Sequence, residues 1–261
     1  MDWSSPAAPL IKGLVNGAAH MAFIKWPFID LSKVEEQFPG HNASNCRLQV
    51  PPGHGDSGAE VGVWVLEHPR PKLVIVYSHG QHSTRAKGHR KDLCKFLHDE
   101  VCATVVSYDP RGYGDSKDIA GRTCTPDAAI RDGLAVLDWW FQRDSSSLPV
   151  VLWGHSLGGP QAAELARRSG DRVRGLVLQA SFPNLQEAAA DHFLSLPLWL
   201  IPRMQRVSLI KGVVDTACEG SEFDFDTARI LARLRPGLPV RPGRLPEAPA
   251  APAPDSAAPP C

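Results

Sequence analysis

The chain has 261 residues, 43% hydrophobic and 21% charged, which is enough to bury the core of one large α/β domain and excludes disorder throughout. Lys plus Arg and Asp plus Glu both number 28, so the net charge of zero offers no basic footprint and nucleic acid is set aside as a partner. The six cysteines (Cys46, Cys94, Cys102, Cys124, Cys218, Cys261) include no C-x-x-C pair; they read as isolated thiols, several of them buried, with no metal site and no redox motif.

A membrane span needs roughly 18 consecutive apolar residues, and no window supplies them. The run from Leu10 to Phe28 is broken by Lys12, Asn16, His20 and Lys25, and the run from Phe193 to Ile201 is short and holds Pro197. Met1-Asp2-Trp3 puts an acid where a cleavable signal carries positive charge. The chain therefore reads as soluble or peripherally attached. Asn42-Ala43-Ser44 matches the N-glycan acceptor pattern, with Asn42 as the acceptor in a secretory compartment.

In chain order, apolar β-rich runs alternate with helical patterns from about Cys46 to Ala180, the sign of a mostly parallel sheet with crossover helices. The expected strands are Arg47 to Val50, Val61 to Leu66, Leu73 to Ser78, Ala103 to Tyr108, Val150 to Gly154 and Val173 to Ala180. Ala86 to Glu100 reads as a helix with Leu93, Phe96 and Leu97 at helical spacing and polar residues opposite. A second helix starts at Thr125-Pro126, a cap followed by proline, and runs to about Arg143. A third follows Ser156 and stops at Gly170. Residues from about 182 to 224 carry aromatic and apolar side chains among prolines without a strand period, and read as an inserted lid. Asp226 to Leu234 restores a short amphipathic helix, and Leu238-Pro239-Val240 opens one more strand. Beyond it, 241–261 is dominated by Pro and Ala and reads as a disordered tail; 1–22 is a lead-in to a domain spanning 23–240. The sheet is expected to lack the strand or strands that would follow.

The strongest chemical signal is Val150-Val-Leu-Trp-Gly154-His155-Ser156-Leu157-Gly158-Gly159, a buried strand running through G-x-S-x-G into a helix. Glycines two residues either side of the serine allow a tight, strained turn that lifts its hydroxyl off the sheet edge. Ser156 is thus the candidate nucleophile, and the Leu157 amide, at the positive end of the helix, a candidate oxyanion donor. The strand Leu73 to Ser78 ends in His79-Gly80-Gln81, which places the Gln81 amide as the second donor, with His79 ordering the loop. Tyr108-Asp109-Pro110-Arg111-Gly112-Tyr113-Gly114-Asp115-Ser116 reads as a structural turn with an internal Asp/Arg hydrogen-bond network.

These motifs, in this order, resemble the α/β-hydrolase superfamily. The runs Phe23-Ile-Lys-Trp-Pro-Phe-Ile-Asp-Leu31, His41-Asn42-Ala43-Ser44-Asn45, Val61-Gly62-Val63-Trp64 and Ala180-Ser181-Phe182-Pro183-Asn184-Leu185, with the helix from Phe225 to Leu234, narrow the resemblance to the monoacylglycerol and lysophosphatidylserine lipases of the abhydrolase domain-containing protein twelve group. The similarity covers roughly residues 20 to 240. It implies a serine hydrolase of single-chain lipid esters that needs no cofactor or metal, a small lipid ester as the molecule bound, and no particular protein partner. It also implies an endoplasmic reticulum membrane location through an upstream helix that this chain lacks, leaving peripheral membrane contact.

The triad order of the fold is Ser, then Asp or Glu, then His. No histidine follows His192, and where the acid is expected the chain reads Arg241-Pro-Gly-Arg-Leu-Pro, so it resembles a member truncated at the C-terminal end. Asp171 and His192 follow Ser156 in the right order, but Asp171 precedes a strand, at the wrong sheet edge, and His192 belongs to the lid; no acid or base is assigned. The alternative to the enzyme is a catalytically deficient hydrolase-fold protein that at most binds lipid or regulates.

Overall fold

The computed structural model describes residues 30–53, 56–81, 83–121, 124–144, 146–182 and 227–243. Eight strands form one sheet: β1 (Ala43–Val50), β2 (Ala59–Leu66), β3 (Leu73–Ser78), β4 (Ala103–Asp109), β5 (Lys117–Asp118), β6 (Val150–His155), β7 (Val173–Gln179) and β8 (Val240–Gly243). The order is β1-β2-β4-β3-β6-β7-β8, with β5 beside β2. From β4 to β8 every pairing is parallel, while β2 runs antiparallel to β1, β4 and β5. The helices are α1 (Val34–Gln37), α2 (Gly88–Asp99), α3 (Pro126–Arg143), α4 (Gly158–Ser169) and α5 (Thr227–Leu231).

Continuous β-branched runs make the central strands, because a parallel sheet is covered on both faces. Successive residues then serve opposite layers. Val74 and Val76 of β3 join Ile130, Leu137, Trp140 and Leu165 of α3 and α4 on one side. Ile75 and Tyr77 join Leu93 and Leu97 of α2, with Trp64 and Phe38, on the other. Helix α3 begins where the sequence expects it: the Thr125 hydroxyl accepts the Ala128 amide at 3.2 Å and Pro126 occupies the first turn.

The differences from expectation have local causes. Strand β1 begins at Ala43, four residues earlier than expected, since its polar half (Asn45, Arg47) pairs along β2 at an edge where alternation is weak. The short β5 and α1 lack a periodic signature. The domain was expected to end at residue 240, but Val240–Gly243 pairs with Leu176–Gln179, so 241–243 are strand and not tail. Cys102 is disulfide-bonded rather than an isolated thiol, while Cys46, Cys94 and Cys124 are free. The lead-in, nearly all of the lid (183–224) and the tail beyond 243 lie outside the described residues.

Candidate functional site

Strand β6 delivers Ser156 to the carboxyl edge of the sheet in a left-handed backbone conformation, φ +51°, unfavourable for a residue with a Cβ. Two hydrogen bonds hold it there: the Ser156 amide donates to Gln179 O and the Gly159 amide donates to Ser156 O, each at 2.9 Å. The flanking glycines are required by contact. A Cβ on Gly154 would collide with the Gly158 carbonyl and sit 2.7 Å from the Gly159 Cα; one on Gly158 would collide with the Ser78 carbonyl and lie 2.7 Å from the His79 carbonyl oxygen. Ser156 is half-buried, and Leu157 precedes the first turn of the twelve-residue α4, at its positive end.

The turn after β3 abuts this one, since a Cβ built on Gly80 would lie 3.0 Å from the Ser156 Cβ. Its orientation is set by Arg90 of α2, only 1% exposed. Arg90 Nη1 donates to Thr84 O at 2.8 Å, and Nη2 donates to Gly80 O at 2.9 Å and Gln81 O at 3.0 Å. A trans peptide points its N–H opposite its C=O, so tying Gly80 O to Arg90 turns the Gln81 N–H away from α2. Sequence reading placed polar residues opposite the apolar stripe of this helix and missed Arg90. Its signal was its spacing: Arg90, Leu93, Cys94 and Leu97 share one buried face.

His79 is buried and committed. Nε2 lies 2.8 Å from Asp109 Oδ1, Nδ1 2.7 Å from Gly80 O, and Arg90 Nη1 3.0 Å from Nδ1. Burial first, then the Arg90 charge, push its pKa below the ordinary value. Asp109 in turn accepts the Arg85 amide at 2.7 Å and the Arg85 guanidinium at 2.5 Å, and Arg85 also holds Asp115 at 2.7 Å. Here the expected internal network is corrected. Asp109 and Arg111 face different neighbours: Arg111 pairs instead with Asp132 at 2.6 Å and Asp56 at 2.5 Å, because Pro110 ends the strand between them and sends Arg111 toward α3.

His155 leans the other way, its ring 5.8 Å from that of His89 and its buried Nδ1 unpartnered. Burial, then His89 and Arg90, bring its pKa down to about 4. The folded state thus favours the neutral ring while the unfolded chain takes up a proton near pH 6.5, so this contribution to stability is complete above about pH 6.5 and is lost as pH falls towards 4. Discounted for its half-exposed position, the effect is on the order of 1 kcal/mol. Urea unfolding of His155→Gln between pH 7 and 4 is expected to show a shallower acid decline than the parent; equal slopes would refute the assignment.

A small cleft lies beside these turns, lined by His79, Pro110, Tyr113, Thr125, Pro126, Ala129, Leu157 and Gln161. The structure brings Ser156, Leu157 and Gln81 to one sheet edge. Asp171 is exposed at the opposite edge, in the single turn before β7, where it meets Arg235 at 3.1 Å; seven strand residues, about 20 Å, separate it from the Ser156 end. His192 lies outside the described residues. Asn42 is exposed just before β1, its amide 3.3 Å from Glu67.

Residues 69–223 match the profile of the family described as serine aminopeptidase, S33. The rat and mouse proteins named lysophosphatidylserine lipase ABHD12 are 31% identical over 209 residues, covering 70% of this chain and 49% of theirs. The human protein ABHD12B is 33% identical over 209 residues, covering 70% of this chain and 52% of its own. The chain therefore spans about half the length of the curated relatives it matches. Among solved structures, a Pyrococcus furiosus esterase, Pf2001, superposes with a TM-score of 0.56 at 16% identity, over 84% of this chain and 72% of that one, a likeness of fold. No described helix is long and apolar enough to cross a membrane.

Proposed function

The chain belongs to the serine aminopeptidase S33 family, with the α/β-hydrolase fold of the ABHD12-like proteins, and from that premise we propose that it is a serine ester hydrolase of single-chain lipids, a monoacylglycerol or a lysophospholipid such as lysophosphatidylserine. The observation that carries the proposal is the strained Ser156 turn packed against Gly80-Gln81. Ser156 Oγ attacks the acyl carbonyl as its proton passes to solvent water, the Leu157 and Gln81 amides receive the developing oxyanion, the alcohol or glycerophospho group leaves carrying a proton taken back from water, and a second water releases the fatty acid from the acyl-enzyme and restores the serine hydroxyl. The chemistry calls for no cofactor. The relatives' names support a lipid ester, and peripheral contact with the endoplasmic reticulum membrane suits such a substrate.

Among the described residues, neither histidine of the two abutting turns is free to serve Ser156 as a base. His79 spends one ring nitrogen on the Gly80 carbonyl and the other on Asp109 of β4, and His155 is a poor proton acceptor with a pKa of about 4. That observation favours a second reading, a hydrolase-fold protein of low turnover that retains lipid binding. The experiment is fatty-acid release from micellar lysophosphatidylserine and monoacylglycerol, with Ser156→Ala as the blank. Slow release that vanishes in the alanine variant is expected; binding of either lipid without Ser156-dependent release selects the second reading, and release that persists in Ser156→Ala defeats the first.

Arg90→Lys tests the oxyanion arrangement within the same assay. Lysine keeps the charge but cannot fork to several carbonyls, so the Gln81 amide loses its fixed orientation. Losing one oxyanion donor costs about 100- to 1,000-fold, and a loosened one less, so the Ser156-dependent rate is expected to fall about 10- to 100-fold with KM little changed. An unchanged rate would remove Gln81 from the site.

A further inference from the structure

At the sheet edge opposite Ser156, where β1 begins and α2 ends, His41, His98 and Asp99 converge. One ligand-capable atom from each lies within 4.8 Å of the others. Asp99 Oδ1 sits 3.0 Å from His41 Nε2 and 2.7 Å from His98 Nδ1. Two features mark this arrangement as more than a surface ion pair. His41 Nδ1 also faces a backbone oxygen, that of Pro39, at 3.2 Å. A neutral imidazole has one N–H and cannot donate to both; with its proton on Nδ1 toward Pro39, the Nε2 lone pair faces the carboxylate, the tautomer in which these two atoms can share a cation. A hydrogen bond from the other ring nitrogen to a backbone carbonyl is also the usual support of a metal-ligating histidine. His98 is the second feature: the residue is 8% exposed, its Nε2 is buried with no hydrogen-bond partner, and its one polar contact is through the Nδ1 that faces Asp99.

We propose that His41, His98 and Asp99 form a binding site for a first-row divalent cation such as Zn²⁺, independent of the Ser156 chemistry, which ties the first strand to the end of α2. Two imidazoles and one carboxylate are ligands that suit these metals, and Asp99, half exposed, leaves the remaining positions to water. His68 stacks edge-on against His98 at 4.9 Å, but its Nδ1 accepts the Arg70 amide, so it packs and does not ligate.

The test is Zn²⁺ titration of the full chain, read by equilibrium dialysis and by thermal unfolding, with Co²⁺ absorption as a spectroscopic check. One cation per chain is expected, with Tm raised by roughly 5–10 °C at a hundredfold excess over Kd. Asp99→Asn keeps the shape of a half-exposed side chain and is expected to weaken binding at least ~100-fold, as is His41→Ala, while His68→Ala retains it. No binding at a Zn²⁺ concentration on the order of 100 micromolar, or binding unaltered in both Asp99→Asn and His41→Ala, overturns the proposal.

Discussion

A fluorophosphonate reagent is expected to label Ser156 at least ~1,000-fold more slowly than it labels the rat lysophosphatidylserine lipase, because a serine hydroxyl at neutral pH needs an imidazole to take its proton as it attacks. Among the described residues Ser156 Oγ has no side-chain hydrogen bond, and His79 and His155, in the two abutting turns, fail for different reasons. His79 would have to abandon Asp109 and the Gly80 carbonyl, both buried contacts, to reach outward. His155 is neutral but weakly basic, its pKa of about 4 making it a poor match for neutral solution. The oxyanion donors do not depend on the base, so a residual acceleration of about 1,000- to 10,000-fold over water remains, which is why slow, Ser156-dependent turnover is expected rather than none. Labelling is read by mass spectrometry against Ser156→Ala. Rapid stoichiometric labelling would reveal a base, and His192→Ala is then the decisive variant: if it abolishes labelling, His192 is that base and the lid assignment of this residue is wrong.

The parts of this site that could be read from the sequence are those in which backbone geometry dictates residue type. Gly154 and Gly158 bracket Ser156 because no Cβ fits at the strand-helix crossing, so the turn is written in consecutive letters. Likewise the β-branched runs of β3 and β4 announce buried parallel strands. What stayed illegible depends on contacts between residues far apart in sequence. The partner of Asp109 is Arg85, 24 residues earlier, and not Arg111 two residues later, and nothing local distinguishes the two. Arg90 could have been found, since an arginine in line with Leu93, Cys94 and Leu97 must bury its head group and so must meet acceptors there. Its three carbonyl partners belong to the turn whose function had been read from the other side.

Asp109→Ala is expected to cost about 3–5 kcal/mol of stability, the largest effect of any single substitution near the site, and to lower Tm by roughly 10–15 °C. Arg85 and Asp109 are both 0% exposed in their side chains, so removing the carboxylate leaves the buried guanidinium with Asp115 as its one remaining carboxylate, itself partly solvated and shared with Arg47, besides the Asn45 oxygen at 3.3 Å. Burial alone would raise the Asp109 carboxyl; the Arg85 charge and the His79 hydrogen bond outweigh it and hold the pKa below the ordinary carboxylate value. Its stabilising contribution is therefore full above about pH 4, the unfolded value, and is lost as pH falls below that through the folded pKa. The alanine variant should accordingly lose part of the parent's acid-induced decline below pH 4 as well as stability at neutral pH. Asp109→Asn is the sharper comparison: its oxygen can still accept from His79 and the Arg85 amide, but its NH₂ would face the Arg85 guanidinium donor to donor, so most of the loss is expected to remain. Urea unfolding at pH 7 measures both variants, and a loss below about 1 kcal/mol for Asp109→Ala would show that Asp115 alone compensates Arg85. The functional consequence follows through His79. Freed from Asp109, its ring no longer fixes the turn that carries Gln81, so at a temperature where the variant is still folded the Ser156-dependent rate should fall, and Arg90→Lys combined with Asp109→Ala should fall by less than the product of the two single losses, because both act on the orientation of the same peptide group.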